Sequence, residues 1–231
     1  MGNIISEYGG MLVAALGQTL LLALLGLFFA CIIGVIFGIM SVVRNKACNI
    51  IARIFVDVIR GIPMIVLAFF IFFGIPMFCN SILKLPGNMT LSGLQAGVIC
   101  LALNCGAYMA EIIRAGVQAV DIGQMEAARS LGMTYGKAMA KVIMPQAIKI
   151  MIPSIINQFI ITLKDTSILS VIGFPELVNT AKNVIAITFQ SFQVWAIVAV
   201  MYLIVILLLS RLSKVLERRL SYGDRRHRDA R

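Results

Sequence analysis

What most limits the fold is a run of 31 residues, Met11 to Ser41, without a single charged side chain. About 20 mostly apolar residues, coiled as a helix, cross the hydrocarbon core of a bilayer. The run is too long for the core of a signal peptide and has no basic segment before it, so it reads as permanent structure. Four further apolar stretches follow. Gly61 to Leu83 is uncharged for 23 residues, and Leu85 to Ala110 for 26. The second of these opens with the turn-like Pro86-Gly87-Asn88, which moves the helix start to near Leu91. Ile150 to Leu163 is uncharged for 14 residues, meets Lys164-Asp165 and continues apolar to Pro175, and Asn183 to Ser210 is uncharged for 28. The spacing predicts five spans at about 11–41, 62–83, 91–113, 150–173 and 193–212, in one transmembrane unit covering 1–231. The fold class is all-α, a polytopic membrane helix bundle. Composition agrees: 60% of residues are hydrophobic and 13% charged, against roughly 45–50% and 25% in soluble domains.

The net charge of +10 would suggest nucleic acid in a soluble chain. Here topology accounts for it. Arg44, Lys46, Arg53 and Arg60 lie between the first two spans. Arg114, Arg129, Lys137, Lys141 and Lys149 lie between the third and fourth. Arg211, Lys214, Arg218, Arg219, Arg225, Arg226, Arg228 and Arg231 follow the fifth. These are 17 of the 20 basic residues. Lys84 and Lys182 fall on the other side, and Lys164 sits within a span. Basic loops stay cytoplasmic, so the N-terminus is expected outside and the C-terminus inside. The basic tail then rests on anionic lipid, with no nucleic acid partner.

Several chemistries are excluded. The five cysteines (Cys31, Cys48, Cys79, Cys100, Cys105) are odd in number and form no CxxC, which favours soft packing over disulfides or a metal site. Gly132-Met133-Thr134-Tyr135-Gly136-Lys137 is one residue too short between its glycines for a phosphate-binding loop, and no Ser or Thr follows the lysine. The only histidine, His227, lies in the charged tail. No carboxylate pair is placed for acid–base work. The expectation is no catalytic residue and no metal, with energy supplied by a gradient or another subunit. In the first span, Gly34 and Gly38 form a small-xxx-small pair for close helix packing.

Residues 114–149 are the one long polar excursion between spans. Asp121 suits a helix N-cap and Glu126 the positive end of the same helix. Gly132 suits the left-handed stop. Thr134 can cap a second piece running to about Ile143, before Pro145 introduces the next span. Two short helices on the cytoplasmic face are predicted, and by themselves they could be no more than a surface hairpin.

Glu126-Ala127-Ala128, then Gly132, then Val142-Ile143-Met144-Pro145, resembles the EAA loop of permease subunits of ATP-binding-cassette importers. The family usually carries Ile and Leu where this chain has Val142 and Met144. Arg60-Gly61-Ile62-Pro63, Ala110-Glu111-Ile112-Ile113-Arg114 and Met144-Pro145-Gln146-Ala147 resemble the polar amino acid permeases within that family. So do Asn157-Gln158, Leu163-Lys164-Asp165-Thr166-Ser167 and Val171-Ile172-Gly173. The resemblance covers roughly residues 10–220 and is nearest to glutamine-type members. It implies a type I importer permease in the bacterial cytoplasmic (inner) membrane. Glu126, Ala127, Ala128, Arg129, Leu131 and Gly132 would form the coupling helix, seated on a cytoplasmic ATPase dimer. Ala127 and Ala128 would allow close approach, Glu126 would offer a charge contact and Gly132 would set the exit angle. ATP and magnesium would be held by those ATPases and no cofactor by this chain. The other implied partners are a second permease, identical or not, and an extracytoplasmic binding protein docking on segments 76–90 and 174–190.

The fourth span carries polar residues that need a reason. Lys164 and Asp165 at a helix centre cost ~2.5–3.5 kcal/mol each, about 5–7 together. Roughly ten Leu, Ile, Phe or Val residues at ~0.3–0.6 kcal/mol each offset only about 3–6. The span must therefore face protein or water. Gln158, Thr162 and Asp165 share one helical stripe, and Asn157, Ile161 and Lys164 share its neighbour. The substrate path is expected to be lined by Asn157, Gln158, Thr162, Lys164 and Asp165. Lys164 and Asp165 could equally form ion pairs at a gate or dimer interface. Gln158 is neutral and offers no counter-charge to a guanidinium, which favours a neutral polar amino acid such as glutamine. Glu111 with Arg114, and Arg53 with Asp57 and Arg60, are expected to be local anchoring pairs, and Asn104 fits either packing or path lining. The competing function is an ATP-independent channel or ion-coupled carrier. Such proteins show paired interrupted helices, whereas this chain has one interrupted span and no repeat. A membrane scaffold would need no polar residues in mid-span.

Overall fold

The computed structural model describes residues 2–84 and 88–228, with the side chains of 2–3, 213 and 216–228 excepted. Pro86 and Gly87 of the expected turn lie outside that range, as does the terminal Arg231. The tail side chains of Arg218, Arg219, Arg225, Arg226, His227 and Arg228 lie outside it too. Among the described residues every regular element is helical. Among the described residues five helical runs are long and apolar enough to cross a membrane: Ile4–Val42, Met64–Ile82, Gly93–Gln118, Tyr135–Ile172 and Ser191–Leu212.

Helix α1 runs over Gly2–Val42, 41 residues, or about 60 Å at 1.5 Å per residue. It starts well before the expected Met11 because its first turns have a surface to cover. Ile4, Leu12 and Ala15 bury against Leu177, Ala181, Val184, Val194 and Val198. Helix α2, Lys46–Gly61, was not anticipated by a search for apolar spans. Asn45 caps it, its Oδ1 accepting from the amides of Ala47 at 2.9 Å and Cys48 at 3.5 Å. Ala52 and Val56 face the bundle, and Phe55 stacks on Phe37 with ring centroids 3.8 Å apart. Ile50, Ile51, Ile54 and Val58 form an exposed aliphatic stripe.

Pro63 pushes Ile62 into extended conformation (φ −96°, ψ 127°) and breaks the chain between α2 and α3, Met64–Phe69. The second span continues through a π turn at Phe70–Gly74, the single turn α4 at Ile75–Met77 and a π turn at Phe78–Ile82. Pro76 explains the first widening, since it lacks an amide hydrogen and its ring crowds the carbonyl of residue 72.

Helix α5, Gly93–Gln118, is the most enclosed of the spans. It opens with a reciprocal capping box: the Ser92 amide donates to Gln95 Oε1 at 2.9 Å and the Gln95 amide to Ser92 Oγ at 3.2 Å. Its main neighbour is α1, and small residues set the separation. A Cβ on Gly26 would sit 2.7 Å from Leu101 Cβ, and one on Gly38 2.8 Å from Ile113 Cβ. Gly34 lies against Met109 in the same way, so the small pair identified in the sequence is part of a longer seam.

After α6 (Ile122–Ser130) comes α7 (Tyr135–Ala138), a π turn at Met139–Ile143, α8 (Met144–Asp165) and a 3-10 segment, Thr166–Ile172. The expectation of a separate second piece ending near Ile143 is corrected. Tyr135–Ile172 is one continuous run of 38 residues. Pro145 falls in the first turn of α8, and the π turn before it absorbs the missing hydrogen bond without ending the helix. The run closes at Gly173, whose φ of +76° is left-handed. Helix α9, Leu177–Thr188, and helix α10, Ser191–Arg228, complete the chain.

Candidate translocation path and coupling surface

The break at Gly61-Ile62-Pro63 leaves an opening between the start of α3, the middle of α5 and the second half of α8. It forms a cavity of about 500 Å³. Its polar lining comes from three elements: Arg60 before the break, Asn104 and Tyr108 on α5, and Gln158 and Asp165 on α8. The Arg60 guanidinium lies over the Tyr108 ring, 4.9 Å from its centroid. Gln158 and Asn104 are buried, and the Asn104 side-chain amide donates weakly to Met64 Sδ at 3.8 Å. These groups offer donors and acceptors of both signs to a polar solute.

The five path residues named from sequence are divided by the structure. Gln158 and Asp165 line the cavity together. Thr162 does not line it. It is buried, and its hydroxyl has no hydrogen-bond partner among the described residues. Asn157 and Lys164 are exposed and do not line it, though they share a stripe with Ile161, which does. Arg60 and Tyr108 were missed as lining residues. The signal was present in Arg60-Gly61-Ile62-Pro63, where a proline break supplies the opening.

The charged groups below the break are not the set of local pairs anticipated. Arg114 Nε donates to Glu111 Oε2 at 3.0 Å and Arg114 NH1 to Gln118 Oε1 at 3.0 Å, so that pair exists. Arg53, Asp57 and Arg60 form no ion pair within 4.0 Å among the described residues. Instead they point into a second cavity of about 320 Å³, whose far wall carries Glu111 and Arg114.

The loop excursion forms a compact platform. Asp121 Oδ1 accepts from the Gly123 amide at 2.7 Å, capping α6. At the other end the Gly132 amide donates to the Arg129 carbonyl at 3.0 Å and the Met133 amide to the Ala128 carbonyl at 3.2 Å, with Gly132 at φ +83°. This is a Schellman ending. Glu126, Ala127, Arg129 and Leu131 are exposed, whereas Ala128 is buried. Ala128 lets α6 lie close to α7 and the π turn behind it, and Ala127 is the alanine on the open face. Leu131 is 84% and Ile122 75% exposed, unusual for aliphatic side chains at the two ends of one short helix. The Arg44 guanidinium over the Tyr135 ring, 4.3 Å from its centroid, ties the platform to the end of α1. Gln146 Nε2, donating to Gln124 Oε1 at 3.4 Å, ties it to α8.

A buried carboxylate at the opposite end of the bundle was also missed. Glu176 is fully buried and caps α9: Oε2 accepts from the Val178 amide at 2.9 Å and Oε1 from the Asn179 amide at 2.6 Å. Tyr202 Oη donates to Oε2 at 3.3 Å. Thr19 Oγ1 accepts from the Leu177 amide at 3.0 Å, so α1, α9 and α10 meet at this cap. Burial pushes the Glu176 carboxyl above its ordinary value. The two amides, the Tyr202 hydroxyl and the nearby Lys182 draw it back part of the way.

The family described as the inner membrane component of binding-protein-dependent transport systems matches residues 30–222. The chain belongs to this family. The permease is 36% identical over 210 residues to the glutamine transport system permease protein of Escherichia coli (strain K12), covering 91% of this chain and 93% of that one. It is 38% identical over 203 residues to a probable glutamine ABC transporter permease of Bacillus subtilis (strain 168), covering 88% and 90%. A crystal structure of an amino acid ABC transporter with histidines superposes with a TM-score of 0.85 at 39% identity, covering 93% and 96%. The all-α bundle with five spanning runs is thus that of an importer permease. As such the permease is a transport subunit, not an enzyme. It works with an ATPase and a binding protein, and the self-sufficient carrier is set aside.

Proposed function

We propose that the permease forms the path by which a polar amino acid, glutamine in the first instance, enters the bacterial cytoplasm across the inner membrane. The observation that carries this is the 500 Å³ cavity at the Pro63 break, with Gln158, Asn104, Asp165 and Arg60 on its walls. A zwitterion needs an acceptor for its ammonium and a donor for its carboxylate, which Asp165 and Arg60 supply. Gln158 and Asn104 can each give and take a hydrogen bond with a side-chain amide. The names of the two curated relatives support glutamine, and the neutral Gln158 agrees with it.

In this reading the chain acts as one transmembrane unit over 1–231, with its N-terminus outside and its basic end in the cytoplasm. Alpha6 is the coupling helix, with Ile122, Glu126, Ala127, Arg129 and Leu131 presented to an ATPase dimer that holds ATP and magnesium. Gly132 fixes the direction in which the chain leaves it. A second permease copy covers the α8 stripe bearing Asn157 and Lys164. A lysine facing lipid at that depth would cost ~2.5–3.5 kcal/mol. The binding protein docks at the opposite end, on the described parts of 76–90 and on 174–190.

The test is transport by the reconstituted importer carrying Gln158→Ala. Glutamine uptake is expected to fall at least tenfold relative to an amino acid without a side-chain amide, with ATPase assembly intact. Equal loss for both substrates, or none for either, refutes the assignment of Gln158 to side-chain recognition.

A further inference from the structure

Helix α2 is amphipathic in an unusual sense, because it lies alongside membrane-spanning helices. One face shows the bare stripe Ile50, Ile51, Ile54 and Val58, and the adjoining face, between that stripe and the buried Ala52 and Val56, carries Arg53, Asp57 and Arg60. Level with its charged side, on α5, are Ala110, Glu111 and Arg114. A charged side chain at lipid depth costs ~2.5–3.5 kcal/mol, so three in a row are stable there only if they face water. With the aliphatic stripe toward lipid, the 320 Å³ cavity lined by these charges would be open to water, as a vestibule.

Arg60 lines this vestibule and also the 500 Å³ cavity above it. The two spaces are neighbours with one guanidinium on their shared boundary. Glu111 and Arg114 satisfy each other on the far wall. Arg53 and Asp57, one helical turn apart, form no ion pair within 4.0 Å among the described residues, and neither does Arg60. A solute anion alone would meet the carboxylates of Asp57 and Glu111, and a cation alone would meet three guanidiniums. A solute bearing an ammonium and a carboxylate on one carbon meets a complement for each. Its carboxylate takes the planar fork of Arg53, with Arg60 left to the central cavity, and its ammonium takes Asp57.

We propose that this vestibule is a second binding station for the transported amino acid. It holds the α-ammonium and α-carboxylate of a zwitterion between Asp57 and Arg53 after release from the central cavity. It reads only the backbone charges, since no neutral amide lines it, whereas the central cavity reads the side chain. The proposal rests on the path reading given above, and the experiment separates the two.

The nucleotide-free importer, with both permeases and its ATPases, is placed in nanodiscs and titrated with radiolabelled glutamine to millimolar concentration. Two glutamines are expected per permease chain. Asp57→Asn removes one, Arg53→Gln weakens the same one at least tenfold, and Asp57→Glu restores it. Melting of each complex establishes that it is assembled. Gln158→Ala removes the other glutamine and leaves the vestibule filled. A wild-type count of one or none overturns the proposal, as does an Asp57→Asn complex that still binds two. If Gln158→Ala keeps both sites while Asp57→Asn loses one, the central path assignment fails and the vestibule stands.

Discussion

Replacing Gly38 by alanine tests how α1 and α5 are held together. The new Cβ would lie 2.8 Å from Ile113 Cβ and 2.9 Å from Ile113 Cγ2. Carbon atoms in contact rest about 3.5–4.0 Å apart, so the overlap is about 1 Å. Ile113 Cβ is fixed to its own backbone and cannot swing aside as a side-chain end would. The helices must therefore separate, and a gap of 0.5–1 Å forfeits a quarter to a half of each dispersion contact along the seam. Overpacking of this kind costs about 1–3 kcal/mol. Gly17 on the same helix is the control, because a Cβ there meets nothing within 4 Å. Alanine at 17 should stabilise by up to about 1 kcal/mol through helix propensity alone. Unfolding of the purified protein in mixed micelles, followed against denaturing detergent fraction, reads both. Gly38→Ala and Gly17→Ala should move the midpoint in opposite directions. A shift of the same sign in both would sink the argument that packing distance, rather than helix propensity, selects glycine at 38.

Gly132→Ala should weaken the end of α6 by about 1–2 kcal/mol, because φ is +83° there and a Cβ in the left-handed region is strained. With open space around the residue the strain is purely local, and Gly132→Asn should recover most of the loss. Transport per ATP hydrolysed is the readout, and an alanine variant coupled as well as wild type would contradict the role given to Gly132. Glu176 gives a pH prediction. Its native carboxyl titrates above the ordinary value of 4.5. Its favourable linkage is therefore present below that value and lost as pH rises through the raised native one. Melting temperature against pH should show wild type losing stability relative to Glu176→Gln across that window, and parallel profiles would contradict it.

Much of this molecule was legible in the sequence because the bilayer reduces the choice to one question, whether a segment has enough apolar residues to cross. Five apolar stretches, the fourth interrupted by Lys164-Asp165, answered it, and the described residues hold five runs long and apolar enough to cross. The caps at Asp121 and Gly132 were legible as well, since a cap is made by a side chain or a glycine with its own neighbouring amides. Helix α2 is not legible as an apolar run, because its charged side interrupts the hydrophobic pattern. Pro145 reads as a boundary in the sequence, whereas in the fold a π turn absorbs it and the helix continues.

From the sequence by itself one expects Lys164, Asp165, Asn157 and Gln158 to need protein or water around them, because such groups carry a transfer penalty at mid-span whatever their neighbours. Only the packed bundle decided which of them share a cavity. A helix turns 100° per residue, so neighbours such as Asn157 and Gln158 face different surroundings once other helices are placed. The same holds for Arg60, Asp57 and Glu176. Their meaning comes from α5, α1 and α10 lying across from them, through contacts that link Glu176 to Tyr202, Arg60 to Tyr108 and, across most of the chain, Leu177 to Thr19.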